Sequence, residues 1–516
     1  MAMTIAAIAS LPGHSAAKEV AVFIHGLGGF APDEFFGFPY WVYINEFTER
    51  GFEAYQAEVG PVSSNHDRAC EAYAQIMGTV VDYGKVHSER HGHNRYGRNF
   101  TGKGFYPEWS TENPIHILGH SMGGSTIRKL EILLQEGIQE EIDATPPEEL
   151  SPLFAGLGTM IKTMTSFSGT HDGSTLEPLL GEDIVRVIEV FILGFAGISE
   201  DTFIDEIYGF DLSQWNITKL SNETIGDFFT RMRESPIWSV DNLDLAPFDL
   251  SPDGALVQQE AGQHAYPDTH YFAFSTSLTQ PVYRCNDEET VCGYAQEASP
   301  LMWAGLSPFA NIIGDVEQPQ DLRENDGLVP VESSKCPQLA YPGTTCIPFD
   351  PNSDNDDWEW VPGQWYYQYT LLDHLQIIGW TYNDADDDRA RANFANQAQR
   401  ILRAVGADGG TDLDSTMAPT PFKDAAADEG RSASEVAAIA GGSVGSALAL
   451  AALALVLWIR RSSSATFAAD PATSLPTSAS ASPSAGLQSA RVGRREPASI
   501  VVSSANPSYV AREPSF

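Results

Sequence analysis

The residues best suited to chemistry are a serine between two glycines, in Gly119-His120-Ser121-Met122-Gly123. The apolar run Ile115 to Leu118 precedes them, and a stretch with few helix breakers, Ser125 to Leu134, follows. This order predicts a strand, a sharp turn and a helix, with Ser121 presented on the turn as a nucleophile. Glycines are needed on both sides because such a turn brings backbones close together. The alternative is an ordinary tight turn with a surface serine.

A nucleophilic serine needs a base, an acid that orients the base, and donors for the oxyanion. Downstream, Asp326 lies in a turn-forming sequence, and His374 follows the strand-like run Trp365 to Tyr369. The order serine, acid, histidine is that of the α/β-hydrolase fold. We therefore predict Ser121 as nucleophile, His374 as general base and then acid, and Asp326 as the group that fixes the imidazole tautomer. Asp373 is the competing acid, but a direct neighbour of the histidine usually points the other way.

The oxyanion donors are expected near two strand ends. One is the backbone N–H of Met122, directly after the nucleophile. The other follows the buried strand predicted at Val20 to Ile24, which ends in His25-Gly26-Leu27-Gly28-Gly29, and we assign it to the Leu27 N–H. A glycine loop after a strand can also bind phosphate, but the spacing here is that of neither a P-loop nor a dinucleotide fingerprint.

Several longer segments resemble a known family. They are Phe36–Trp41, Val59–Asn65, Asp67–Gln75, Val81–Gly84, His91–His93, His171–Gly173, Glu324–Gly327 and Asp373–Gly379, and they extend in order over residues 19 to 403. On these segments the chain is similar to the secreted bacterial thermoalkalophilic lipases of Geobacillus and Staphylococcus. The resemblance implies an α/β-hydrolase fold with a mostly parallel sheet, a small zinc-binding insertion and a helical lid.

The resemblance implies a zinc site at Asp67, His87, His93 and Asp249. Two aspartates and two histidines complete a tetrahedral shell, which leaves no position open for a catalytic water, so the zinc is expected to be structural. By residue type alone, two histidines six apart in a polar loop are more often exposed to solvent than bound to metal.

The calcium site of the similar lipases transfers poorly. Those lipases carry a glutamate two residues after the catalytic histidine and an Asp-Pro pair further on, whereas this chain has Gln376, Thr381 and Tyr382. The loss of two carboxylates removes charge that a hard cation requires. The acidic runs at 354–357 and 384–388 could rebuild a calcium site, although a run of solvated charges is the default explanation for them. We therefore leave calcium binding open and regard it as the less favoured outcome.

Residues 181–200 are predicted to form the lid, because the segment is too apolar for a free surface helix. A buried core helix fits the pattern nearly as well. In the similar lipases this region covers the serine and opens at an oil–water interface, which would give the apolar face a function.

A second apolar segment lies near the other end of the chain. Val436 to Ile459 are 24 residues without a charge, followed directly by Arg460 and Arg461. This pattern predicts one membrane-spanning helix with the C-terminus in the cytosol and the catalytic domain outside the cytosol or in a lumen. The sequons at Asn99, Asn216 and Asn222 agree with N-glycosylation on that side.

Composition sets further bounds. A net charge of −39 argues against nucleic acid and against docking on anionic lipid by charge, while neutral esters remain compatible. Of the five cysteines, Cys70 is predicted to be a buried free thiol. The other four could form two bridges, with the local pairs Cys285–Cys292 and Cys336–Cys346 as one of three connectivities.

The predicted organisation has five parts. A weakly signal-like or disordered N-terminus occupies 1–18, the catalytic domain 19–404, an acidic flexible stalk 405–435, the membrane helix 436–459, and a Ser/Ala/Pro-rich disordered tail 460–516. We predict a membrane-anchored serine lipase that hydrolyses esters of long-chain fatty acids, of the triacylglycerol type, at an interface. The alternatives are an inactive hydrolase-like ectodomain used for binding, and a short-chain carboxylesterase.

Overall fold

The computed structural model describes residues 19–32, 39–176, 212–218, 220–239, 242–286, 288–350 and 359–406. The predicted lid at 181–200, the stalk beyond residue 406, the predicted membrane helix at 436–459 and the tail lie outside these residues. Within them, no helix combines the length and the apolar character that a membrane crossing requires.

The described strands are β1 (Glu19–Ile24), β2 (Phe52–Ala57), β3 (Val80–Asp82), β4 (Tyr96–Asn99), β5 (Ile115–His120), β6 (Ile161–Phe167), β7 (His270–Thr276), β8 (Thr279–Cys285), β9 (Cys292–Ala298), β10 (Ile347–Pro348) and β11 (Trp365–Thr370). The described α-helices are α1 (Asn45–Thr48), α2 (Asn65–Met77), α3 (Lys85–His91), α4 (Met122–Glu136), α5 (Gln139–Ala144), α6 (Ile225–Arg233), α7 (Ala246–Asp249), α8 (Pro252–Glu260), α9 (Ser307–Ile313), α10 (Val331–Lys335) and α11 (Asp384–Ala404). Short 3₁₀ turns lie at Pro152–Ala155, Ser213–Trp215, Pro236–Trp238, Gln320–Leu322 and Gln376–Ile378.

Among the described residues, seven strands form one sheet in the order β2-β1-β5-β6-β7-β11-β10, and every neighbouring pair is parallel. A parallel sheet is covered on both faces, which explains why β1, inside the sheet, is apolar and buried from Val20 to Ile24. In β1, Phe23 packs into the core on one face, while Val22 and Ile24 pack into the core on the other. The strands predicted at β1, β5 and β11 and the helix predicted after Ser121 are confirmed.

The strand order determines where a site can form. The chain runs from β1 outward to β2, and then returns to add β5 on the other side of β1. In an open parallel sheet, ligands bind beyond the carboxyl ends of the strands at the point where the order reverses. The loop after β1 and the turn after β5 therefore meet at this edge, and β7 and β11 end on the same side.

Among the described residues, two small antiparallel ribbons form sheets of their own. β3 and β4 pair around α3, and β8 and β9 form a hairpin. A disulfide joins Cys285 to Cys292 within the hairpin, and a second joins Cys336 to Cys346. Cys70 is a buried free thiol. These findings confirm the local pairing among the three connectivities.

Candidate active site

Ser121 occupies the turn between β5 and α4 with a positive φ of 56°, a conformation that L-residues rarely adopt. The flanking glycines make this turn sterically feasible. An ideal Cβ on Gly119 would lie 2.3 Å from the carbonyl oxygen of Gly123, and one on Gly123 would lie 2.3 Å from that of Ile24. The turn therefore packs directly against the end of β1, and the strained serine is held by backbone on both sides.

His374 follows β11 and meets Asp326 through two contacts. Its Nδ1 lies 2.9 Å from Asp326 Oδ2, and its backbone N–H donates to the Asp326 carbonyl oxygen at 3.0 Å. Both side chains are buried. Since a carboxylate can only accept, Nδ1 carries a proton, and in the neutral imidazole the lone pair is then on Nε2.

Further donors surround the Asp326 carboxylate. Oδ2 also accepts from Thr276 Oγ1 at 2.7 Å, and Oδ1 accepts from the backbone N–H groups of Leu328 at 3.1 Å and Val329 at 2.9 Å. Burial opposes ionisation, but His374 and these donors outweigh it and hold the pKa of Asp326 below its usual value. The group facing the imidazole is thus a carboxylate at neutral pH. Thr276, at the end of β7, carries no signal in the sequence that would have singled it out.

Asp373 points away from the imidazole. Its Oδ1 accepts from the N–H groups of Leu375 and Gln376, and its Oδ2 accepts from Trp303 N at 2.8 Å. Burial raises the pKa of Asp373 to about 7. Asp373 therefore stabilises the turn that follows His374, and Asp326 is the carboxylate that contacts the imidazole ring.

His120, the last residue of β5 and the neighbour of Ser121, connects the nucleophile turn to His374. The His120 ring lies 4.6 Å from the His374 ring, and His120 Nε2 lies 2.8 Å from the His374 carbonyl oxygen. Among the described residues no hydrogen bond joins Ser121 Oγ to the imidazole. Nucleophile and base are often this loosely aligned before substrate binds.

The two predicted oxyanion donors lie beside Ser121. The Leu27 and Met122 backbone N–H groups have no acceptor among the described residues, and the Leu27 side chain packs against the cluster of Met122, Ala246 and Leu250. Met122 N–H is one of the unpaired donors at the start of α4. The loop after β1 and the turn at Ser121, which pack against each other at Gly26, thus each carry an unpaired backbone N–H.

Arg68 of α2 is hydrogen-bonded to the loop after β1. Its buried guanidinium donates to the carbonyl oxygens of His25 and Gly60, and its Nε donates to Thr126 Oγ1 of α4 at 2.9 Å. Burial, and then the Arg68 charge, lower the pKa of His25 to about 3, so this imidazole is neutral. Charged hydrogen bonds of this kind fix the loop relative to the nucleophile helix.

A polar cluster includes the preceding residue of α2, Asp67. Ligand atoms of Asp67, His87, His93 and Asp244 all lie within 4.8 Å of one another. His87 Nε2 is 3.3 Å from Asp67 Oδ1 and 3.1 Å from Asp244 Oδ1, and His93 Nε2 is 3.1 Å from Asp244 Oδ2. Four ligands at about 2.05 Å around tetrahedral zinc are about 3.3 Å apart, which matches these separations.

The chemistry of the donors also fits a metal. Asp67 Oδ1, His87 Nε2, His93 Nε2 and Asp244 Oδ2 are buried without a properly directed hydrogen bond. His93 Nδ1 lies 2.9 Å from the Asn94 carbonyl oxygen, so it carries a proton, and Nε2 is the ring nitrogen that faces the cluster. Gln214 Nε2 donates to Asp67 Oδ2 at 3.1 Å and orients that carboxylate. The residues therefore form a group that could hold a metal ion.

Asp244 stands where the sequence analysis placed Asp249, and this part of the prediction is corrected. Leu245 bridges to Ser63, which brings Asp244 beside α2. Asp249, at the end of α7, accepts a hydrogen bond from Asn65 N at the start of α2, and burial raises its pKa to about 7. Both aspartates lie near α2, and only the tertiary structure separates their roles.

The remaining predicted sites lie as follows. The three sequon asparagines, Asn99, Asn216 and Asn222, are exposed. Gln376, at the position that departs from the calcium pattern, donates to the Leu301 carbonyl oxygen at 3.2 Å and to Asp386 Oδ2 at 3.3 Å. The Gln376 amide thus connects the Leu301 carbonyl oxygen to the Asp386 carboxylate. The acidic run at 354–357 lies outside the described residues.

The family described as "Lipase-like, C-terminal domain" matches residues 17–404. The chain belongs to this lipase family. Lipase 1 of Staphylococcus aureus (strain MRSA252) is 33% identical over 340 residues, which are 64% of this chain and 47% of that protein. This chain therefore spans about half the length of the curated relatives it matches.

Solved structures of other proteins share the fold. EstA from Clostridium botulinum has a TM-score of 0.62 and 33% identity, covering 74% of this chain and 88% of the other. Lipase 1 from Pelosinus fermentans has a TM-score of 0.60 and 33% identity, covering 75% and 98%. The resemblance to bacterial lipases is confirmed, and the mostly parallel sheet with its helices is the α/β fold of the lipase family.

Proposed function

We propose that the protein is a serine-dependent carboxylic ester hydrolase that acts on lipid esters. One observation carries the proposal: an acceptor-only carboxylate at Asp326 fixes the His374 proton on Nδ1, next to a strained Ser121 with two unpaired N–H donors. The names of Lipase 1 of Staphylococcus aureus and Lipase 1 of Pelosinus fermentans support the substrate class.

The residues would share the reaction as follows. His374 Nε2 takes the proton of Ser121 Oγ as this oxygen attacks the ester carbonyl, and Asp326 stabilises the imidazolium. The Leu27 and Met122 N–H groups bind the oxyanion of the tetrahedral intermediate. His374 then returns the proton to the departing alcohol, which leaves an acyl group on Ser121, and a water molecule activated in the same way releases the fatty acid.

A fluorophosphonate probe tests this chemistry, because it is attacked only by an activated serine. The chain should be labelled once, at Ser121, and Ser121→Ala should abolish both labelling and ester hydrolysis. Ser174→Ala is a suitable control, since Ser174 lies outside the triad and hydrogen-bonds Leu328 O. A folded wild-type chain that is not labelled would support the alternative of an inactive binding domain.

Long acyl chains are the proposed substrates because the lipase relatives and the predicted lid at 181–200 both favour an interface. A series of glycerol esters from butyrate to oleate separates this proposal from a short-chain esterase. Turnover that rises above the solubility limit of the ester supports a lipase, and activity confined to soluble short esters supports the esterase.

Zn²⁺ bound by Asp67, His87, His93 and Asp244 would supply folding free energy and join α2, α3 and the segment before α7.

The segment 436–459 would anchor the protein in a membrane as a single span, with the ester hydrolase outside the cytosol or in a lumen and the tail in the cytosol. Protease treatment of sealed cells tests this orientation: the catalytic domain should be digested and the tail spared.

A further inference from the structure

Tyr40 and His120, which take no part in the proposed reaction, connect the loop after β1 to His374. The Tyr40 hydroxyl accepts a hydrogen bond from Gly26 N at 2.8 Å and lies 2.7 Å from His120 Nδ1. On the opposite side of the same ring, His120 Nε2 lies 2.8 Å from the His374 carbonyl oxygen. These contacts form a continuous bridge from Gly26 to His374.

The protons in this bridge have one consistent arrangement. The His374 carbonyl oxygen can only accept, so His120 Nε2 is the donor. In the neutral ring Nδ1 is then an acceptor, and the Tyr40 hydroxyl donates to it while accepting from Gly26 N. Burial, and next the neighbouring His374, lower the pKa of His120 well below its usual value, which agrees with a neutral ring.

The two ends of the bridge are backbone groups of the candidate site. Gly26 directly precedes Leu27, and an ideal Cβ on Gly26 would lie 2.7 Å from Ser121 Cβ, so this loop packs against the nucleophile. The other end is the main chain of His374. Tyr40 and His120 are both buried, and their rings pack at 5.8 Å.

We propose that Tyr40 and His120 are positioning residues whose bridge fixes the Leu27 N–H relative to the His374 imidazole. The proposal rests on the proposed ester hydrolysis. It adds that donor and base are held by one hydrogen-bonded unit, so that loosening the bridge misplaces the donor while the triad residues stay intact.

Tyr40→Phe is the informative change, because it removes one oxygen and leaves Gly26 N and His120 Nδ1 without that partner. Loss of a direct oxyanion donor lowers kcat by about 10²–10³-fold, and a misplaced donor should cost less, about 10- to 100-fold. The effect should fall on kcat, with KM changed by less than about twofold, because the oxyanion exists only in the transition state and the intermediate.

Tyr271→Phe is a matched control. Tyr271 is also buried, and its hydroxyl also accepts from a backbone N–H, that of Tyr266 at 2.8 Å, and donates to a side chain, Glu131, at 2.7 Å. It lies near the start of β7, whereas the candidate site lies beyond the strand ends. Both variants should lose a comparable amount of thermal stability, and only Tyr40→Phe should lose kcat.

The measurement is kcat and KM on a soluble ester, with active sites counted by fluorophosphonate titration so that misfolded protein does not contribute. Equal per-site kcat in Tyr40→Phe and Tyr271→Phe, or a rise in KM without loss of kcat, would overturn the positioning role. ¹⁵N NMR of His120 tests the bridge independently of activity: wild type should show the neutral Nε2–H tautomer, and Nδ1–H or a doubly protonated ring would refute it. A wild-type chain that shows this tautomer and does not label refutes the ester hydrolase alone.

Discussion

Replacing Asp326 with asparagine tests which carboxylate orients His374, and the surroundings of Asp326 fix how the new amide would sit. Oδ1 accepts from the N–H groups of both Leu328 and Val329, so the oxygen of the introduced amide would keep that side. The amide NH₂ would then occupy the place of Oδ2, 2.9 Å from His374 Nδ1. A donor at this place requires Nδ1 to accept, which moves the imidazole proton to Nε2 and removes the base.

The expected loss follows from that tautomer. The same change in the triad of serine proteases lowers kcat by about 10⁴-fold with the geometry intact. A factor of 10⁴ is about 5.4 kcal/mol of activation free energy. The fold should persist, since the substitution keeps the shape of the side chain and the two backbone hydrogen bonds to Oδ1.

Asp373→Asn is the matched control, one residue before His374. Its carboxylate accepts from backbone N–H groups on both oxygens, so either orientation of the amide sets one donor against another. We expect a loss of stability of about 1–3 kcal/mol and a per-site kcat within about tenfold of wild type. The assay is hydrolysis of a soluble chromogenic ester, with active sites titrated, together with thermal unfolding.

One result would refute this reasoning directly. If Asp326→Asn keeps near-normal kcat while Asp373→Asn abolishes it, the acid is Asp373 and the geometry around His374 has been misinterpreted. Equal, large losses in both variants with intact folding would show that the turn after His374 matters as much as the tautomer.

Three further predictions follow from the structure. Ser121→Ala should lower kcat by at least about 10³-fold and leave the fold intact, as judged by circular dichroism. Asp244→Ala should abolish stoichiometric zinc in metal analysis and lower the Tm by more than about 5 °C, whereas Asp249→Ala should retain the metal; the reverse pattern would restore Asp249 as the ligand. Burial raises the pKa of Asp172 to about 6, above about 3.9 in the unfolded chain. The contribution of Asp172 to the free energy of unfolding, up to about 3 kcal/mol, is therefore fully present below about pH 4 and is lost as the pH rises through 6. Asp172→Asn should flatten the dependence of Tm on pH in that window, and an unchanged curve would contradict this explanation.

The sequence was informative wherever local geometry dictates residue type. A serine that must adopt a positive φ between packed backbones needs glycine neighbours, so Gly119 and Gly123 mark the turn without any knowledge of the fold. Buried parallel strands favour apolar and aromatic residues, and such runs located β1, β5 and β11. Cys285 and Cys292 are seven residues apart and Cys336 and Cys346 are ten apart, so the short chain between the members of each pair favoured local pairing.

Only the tertiary structure distinguished between groups of the same type that compete for one role. Asp326 and Asp373 both lie near His374, and their roles differ because one faces ring Nδ1 while the other binds backbone N–H groups. Asp244 and Asp249 are five residues apart, and the bridge that holds Leu245 beside Ser63 decides which carboxylate reaches His87. Hydrogen bonds and metal ligation depend on the directions of side chains brought together by distant elements, and residue spacing along the chain does not contain that information.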